Sequence, residues 1–350
     1  MEGISDTGLL ALIGCAGGIV LGLAARLGRF CTLGAIEDCL YQNDTTRIRM
    51  WVLAIGCAGL ICTGLIAAGA LIPQDTLYHV APFSPVASIL GGLMFGYGMA
   101  LAGSCGFGAL ARTGGGDLRA FVIVLVMGIS AYVAISGPLA ATRIQLIEGT
   151  QIDTALRSYP DLLAQATAQP SVVFGFGFSV VLLLGALASR TFRNRRLAIF
   201  WGAAVGMAVA AGWAGTQWVI THGFRPEPVS SYTFTAPLGE TLIYLMTSSG
   251  GGLSFGVGSV AGVLIGACAG SLIKGHFRWE ACEDPRELKR QCIGAVFMGL
   301  GGVLALGCTI GQGISAFALF TFGAPLTFAS IFLGAAIGLR QLITGFALPS

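Results

Sequence analysis

Charge is what this sequence has least of. Only 10% of its 350 residues are Asp, Glu, Lys or Arg, against roughly 25% in a soluble domain, which excludes an ordinary water-exposed fold. Histidine is rarer still, with His79, His222 and His276 alone, so no Cys/His metal cage is expected despite ten cysteines. No Cys-x-x-Cys occurs either, which argues against a thioredoxin-like redox pair or a metal ribbon. A Gly-x-x-x-x-Gly-Lys-Ser/Thr loop for ATP phosphates is missing, so energy coupling is left unassigned. The net charge of +3 carries no nucleic-acid footprint. The opening stretch, with Glu2 and Asp6, lacks a basic n-region, so a cleaved signal peptide is not expected and the first apolar run should remain as a helix.

What fills the chain instead is apolar. Hydrophobic residues make up 55% and the mean hydropathy is +0.82, which predicts an all-α integral membrane protein. The 54 glycines are about twice the usual ~7% share, a composition that lets helices approach closely or break within a bilayer. Such a scaffold suits a transporter or channel better than an anchored enzyme, and neither catalytic residues nor a cofactor are expected.

Crossing the hydrocarbon takes about 20 helical residues. Apolar runs of that order fall at 8–27, 48–72, 86–104, 118–140, 171–189, 197–214, 253–273, 291–307 and 324–345, giving nine expected spans. Short apolar pieces after Cys31, Cys105, Trp213 and Cys308 are too brief to span and read as re-entrant half-helices. The basic connections 26–49, 112–119, 190–196 and 274–290 should be cytoplasmic. The connections 73–85, 141–170 and 222–236 should face outside, which puts the N-terminus outside and the C-terminus inside. The 141–170 connection carries a helical spacing of apolar residues that suits an interfacial helix, and the charged run 274–290 reads as a solvated loop.

Three segments share one pattern. Cys31, Cys105 and Cys308 each have glycine nine residues before (Gly22, Gly96, Gly299) and three after (Gly34, Gly108, Gly311). A fourth copy runs from Ala204 to Thr216 with Trp213 in the cysteine's place. The first two copies follow spans running inward and the last two follow spans running outward, so residues 8–140 and 171–345 read as inverted halves joined by 141–170. Inverted halves with broken helices mark a transport pathway at the bilayer midplane, and the expected shape is an hourglass. Half-helix N-termini would aim free N–H groups at an anion there.

A thiol in apolar surroundings stays protonated. As a weak, soft donor it can recognise a polarisable sulfur without holding it too tightly to leave, which is a reason to set Cys31, Cys105 and Cys308 along one path. Spacing does not fix their order. Cys15, Cys57, Cys62 and Cys268 read as packing residues, and Cys39, Cys282 and Cys292 receive no function. Arg29 reads as an interfacial arginine rather than an anion ligand. Glu37 and Asp38 should face water, and Glu240 is the one acid kept as a coupling candidate.

The pieces Gly28-Arg29-Phe30-Cys31, Leu101-Ala102-Gly103-Ser104-Cys105-Gly106-Phe107-Gly108 and Gly307-Cys308-Thr309-Ile310-Gly311-Gln312-Gly313 resemble the YeeE/YedE family of bacterial inner-membrane proteins, over about 14–338. The resemblance implies thiosulfate uptake into the cytoplasm through an hourglass fold. Three essential cysteines, here Cys31, Cys105 and Cys308, would pass the ion along by S–H to sulfur contacts. Gly34, Gly103, Gly106, Gly108, Gly307, Gly311 and Gln312 would shape the surrounding loops. It also implies a TusA-like cytoplasmic sulfurtransferase as partner. The readings from other classes are a membrane thiol oxidoreductase and a non-catalytic subunit of a sulfur-trafficking complex.

Overall fold

The computed structural model describes residues 5–152, 156–223, 228–248, 252–281 and 284–345. Among them no β-strand forms, and only three isolated bridges tie loops together (Thr76 with Val229, Asp117 with Glu280, Ser158 with Thr321). The chain is a bundle of helices: α1 (Asp6–Leu27), α2 (Thr32–Glu37), α3 (Thr46–Ala67), α4 (Pro85–Ala102), α5 (Gly106–Gly114), α6 (Leu118–Ile135), α7 (Ser171–Leu187), α8 (Arg196–His222), α9 (Ala236–Thr247), α10 (Phe255–Ile273), α11 (Pro285–Leu304) and α12 (Gly323–Thr344).

Helix starts follow from side chains that satisfy the first orphan amides. Ser84 accepts from the Ala87 N–H with Pro85 in the first turn, Asp117 from Arg119 and Ala120, and Ser254 from Val257. Packing follows from glycine. Along α1, any Cβ at Gly14, Gly18 or Gly22 would run into the backbone of α10, and Gly258, Gly262 and Gly266 of α10 meet α1 in the same way. Those rows of small residues four apart let two backbones touch, the packing a bilayer favours. The pairs α4 with α12, α4 with α11, α3 with α8 and α6 with α11 pack tightly as well.

Among the described residues, seven helices are long and apolar enough to cross a membrane: α1, α3, α4 taken with α5, α6, α8, α10 and α12. The remaining two expected spans differ in kind. α7 is apolar but has 17 residues, and α11 begins with Arg286, Glu287, Lys289 and Arg290. Part of the charged run expected as a loop at 274–290 is therefore the first turns of α11.

One further expectation is changed. Helix α8 runs through Trp213 to His222 without a break, so no half-helix follows the fourth copy. Within the connection 222–236, Val229, Ser231, Tyr232, Phe234 and Thr235 are buried. Tyr232 donates to the carbonyls of Ile13 and Gly14, and Ser231 to that of Val209, which pins this segment among the helices. The 141–170 stretch contains two short helices, Ala140–Thr150 and Tyr159–Thr167. Cys282 lies outside the described residues.

Candidate functional site

The site begins with three helix breaks of one design. Two residues before each cysteine the backbone turns left-handed: Arg29 at φ 54°, Gly103 at φ 74° and Leu306 at φ 55°. That conformation costs a residue with a Cβ about 1–2 kcal/mol, so only Gly103 adopts it freely. Each cysteine then opens a short helical stretch, α2, α5 and the segment that becomes a π-helix at Gly311–Ala316. The cysteine carbonyl takes the first helical hydrogen bond in all three, from Ala35 (3.1 Å), Ala109 (2.8 Å) and Gln312 (2.8 Å). The thiols consequently sit at helix starts, the position an N-cap residue holds.

The folded chain brings the three together. Cys105 and Cys308 are fully buried and Cys31 half-buried. Cys105 lies in the middle, with Thr32 of the Cys31 motif against its sulfur and Phe107 of its own motif packed on Phe234, whose amide holds the Cys308 sulfur. Thr32, the residue after Cys31, donates its hydroxyl to Cys105 Sγ at 4.0 Å, and the Gly108 N–H donates to the same sulfur at 3.3 Å. Thr309, the residue after Cys308, lies beside the Cys105 thiol without meeting hydrogen-bond geometry. Cys308 Sγ accepts from the Phe234 N–H at 3.2 Å and faces the Thr233 hydroxyl at 3.8 Å.

Several buried polar atoms around the thiols have no partner: Ser104 Oγ, Thr309 Oγ1, Thr235 Oγ1 and Gln312 Oε1. An unsatisfied buried group costs about 1–3 kcal/mol, and a cluster of them next to three sulfurs is where a polar guest would be stabilised. Gln312 is itself held by donation from Nε2 to the Ala305 carbonyl at 2.7 Å. A Cβ at Gly311 would meet Thr233 Oγ1 at 2.6 Å and the Tyr78 hydroxyl at 3.1 Å, so this glycine keeps the approach to Cys308 open. Gly307 borders Tyr78 and Gln312 in the same way. Gly108 touches the Cys105 sulfur and Gly106 the Met127 side chain, whereas Gly34 lies under the Arg47 guanidinium.

Two clefts lead toward this cluster. One is lined by Tyr78, Arg157, Leu304, Ala305, Leu306 and Gln312, around the break before Cys308. The other holds Cys31 itself with Arg26, Arg29, Arg47, Lys274 and His276. Arg29, read from the sequence as an interfacial residue, thus shares a cleft with Cys31. Glu240 has a different setting: the Ser254 hydroxyl donates to its Oε2 at 3.1 Å. Trp213 donates from Nε1 to the Ser315 carbonyl at 3.2 Å and braces the π-helix that follows Cys308.

Thr32, Thr309, Thr233, Phe234 and Tyr78 were missed in the sequence. The first two stand directly after motif cysteines, which was a usable signal. Thr233 and Phe234 belong to the hydroxyl-rich run Ser230-Ser231-Tyr232-Thr233-Phe234-Thr235, whose lack of charge marked it equally well as a buried segment or an outside loop.

Apolar helices, internal breaks and a buried thiol cluster define a multi-pass membrane protein built around a polar interior site. The model of the sulphur transport family matches residues 27–337, and the chain belongs to that family, the YeeE/YedE proteins. Among its curated relatives is the thiosulfate transporter TsuA of Spirochaeta thermophila, 25% identical over 344 residues, covering 92% of this chain and 95% of the relative. The thiosulfate transporter TsuA of Escherichia coli is 24% identical over 334 residues, covering 93% and 92%.

Proposed function

We propose that this protein imports thiosulfate, or a closely related sulfur anion, and that the ion passes from Cys308 through Cys105 to Cys31. The observation that carries this reading is the position of Cys105 between the motifs of the other two thiols, beside buried hydroxyl and amide atoms without partners. The two ends of thiosulfate suit the two kinds of group. Its terminal sulfur is soft and meets neutral S–H donors, which bind weakly enough to release it. Its oxygens take the donors: the hydroxyls of Ser104, Thr309 and Thr32 and the free amides of α5.

Orientation rests on the basic residues that cluster at the Cys31 end, Arg26, Arg29, Arg47 and Lys274, which the positive-inside tendency assigns to the cytoplasm. In that frame α7 and α11 complete nine crossings, the N-terminus is outside, the C-terminus is inside the cell, and the Cys308 cleft opens outward. The host is the bacterial inner membrane, and a TusA-like sulfurtransferase is the partner that would receive the sulfur. The packing pattern supports the two inverted halves. Exchanging α1, α3, α4 and α6 with α8, α10, α11 and α12 turns the pair α1/α10 into α8/α3 and the pair α4/α12 into α11/α6, all of which pack.

The test is uptake of labelled thiosulfate into liposomes containing the purified protein. Wild type should accumulate it, and Cys105→Ala and Cys308→Ala should fall to the level of empty liposomes. Full uptake by both variants would end the relay.

A further inference from the structure

The cleft at the Cys31 end is more cationic than a passage needs. Arg26, Arg29, Arg47, Lys274 and His276 line it, and no carboxylate is part of its wall. Asp38 pairs with Arg47 at 3.2 Å, and Glu37 stands near the same guanidinium. Asp117 and Glu280 act on Arg26 from a neighbouring cleft, and Arg26 Nε is nonetheless buried without a partner. Arg29 and Lys274 have no ion pair among the described residues.

These charges come from separate parts of the chain, and Lys274 and Arg47 are fixed by side-chain contacts. The Lys274 ammonium donates to the carbonyls of Arg26 (2.7 Å) and Leu27 (3.2 Å) at the end of α1. Arg29 stands on the left-handed turn before Cys31, and Arg47 is folded over Gly34. Crowding leaves a mark on Lys274: burial, then the charges of Arg29 and Arg26, pull its ammonium below the ordinary lysine range. Like charges held together with only part of them compensated repel one another, and an anion between them lowers that penalty.

We propose that Arg26, Arg29, Arg47 and Lys274 form a second anion site beside Cys31, which takes a small doubly charged sulfur oxyanion as it leaves the thiol path. This rests on the transport reading for its place in the cycle, but the site itself is defined by charge and geometry. It makes the Cys31 end a holding point: an ion that passes the last thiol is retained by guanidinium groups before it enters bulk water, and the same anion supplied at that end competes with uptake.

The full chain in phosphatidylcholine nanodiscs tests the site through the reactivity of Cys31. Iodoacetate and iodoacetamide differ in charge, and their rates at the Cys31 peptide, read by mass spectrometry and normalised to free cysteine, measure the local potential. The expected ratio favours iodoacetate by roughly tenfold, the low end of electrostatic focusing. Sodium sulfate should slow modification more than sodium chloride at matched ionic strength. Arg29→Gln and Lys274→Gln should each lower the ratio, and Arg29→Lys should keep it. Equal normalised rates, or no sulfate protection, would overturn the site, as would protection by phosphatidylglycerol vesicles without protection by sulfate. Protection by sulfate in a protein that fails to take up thiosulfate would uphold the site and remove the transport reading. Uptake without protection would do the reverse.

Discussion

The segments around Cys105 and Trp213 share a pattern of small residues but fold differently. Before Cys105, the left-handed Gly103 ends α4, and the thiol starts a new helix. Before Trp213, Ala211 continues α8, and the indole becomes a bracing group that reaches the Ser315 carbonyl. One segment exposes a polar helix start inside the bundle, and the other closes it. A resemblance in glycine and alanine spacing therefore marks a packing surface in both places, while the backbone conformation two positions before the centre separates the broken helix from the continuous one.

The most severe way to break this comparison is Gly103→Val. A β-branched residue in the left-handed region should cost about 2 kcal/mol, visible as earlier thermal unfolding in detergent, and should abolish thiosulfate uptake because Cys105 loses its position. The matched change Ala211→Val lies on an exposed, helical position and should cost under about 1 kcal/mol. Equal losses in the two variants would refute the role given to the break. Trp213→Phe comes next: it removes one buried hydrogen bond, worth about 1 kcal/mol, and should slow uptake without ending it. Ser104→Ala should leave the fold intact and reduce uptake, since its hydroxyl has no partner to lose.

The smallest effect belongs to Asp117, far from the thiols in role. It caps α6 and pairs with Arg112 at 2.6 Å. Burial works against its charge, but Arg112, the Ala120 amide and Arg119 together hold the carboxyl below the ordinary carboxylate range. Because its folded pKa is depressed, its contribution is present above the unfolded value of about 3.9 and is lost as pH falls through the folded value. Asp117→Asn should lower stability by about 1 kcal/mol at neutral pH, flatten the acid side of the stability profile and leave uptake unchanged.

How much of this was legible in the sequence depended on where the cause lay. The three cysteines stood out because glycine at fixed offsets is a local signal, and Gly103 in a left-handed turn is what glycine permits. Arg29 and Leu306 adopt the same turn with no such mark, since only the surrounding packing forces a residue with a Cβ into it. The unbroken α8 was misjudged because composition repeats what conformation does not. The 228–235 segment is a connection, as expected, but its burial was not legible because its hydroxyls have no periodicity and its partners on α1 and α8 are remote in sequence. The cationic cleft is the extreme case. Lys274 joins Arg26 and Arg47 only through the tertiary fold, so Arg29 read as one more interfacial arginine of the 26–49 connection.

The central claim is that the thiol at a helix break, and not the matching position in the unbroken helix, carries the ion. Initial rates of labelled thiosulfate uptake into liposomes, measured side by side for wild type, Cys105→Ala and Trp213→Phe at equal protein content, test it most directly. The account predicts background uptake for Cys105→Ala and a reduced but clear signal for Trp213→Phe. Uptake by Cys105→Ala at the wild-type rate would contradict it.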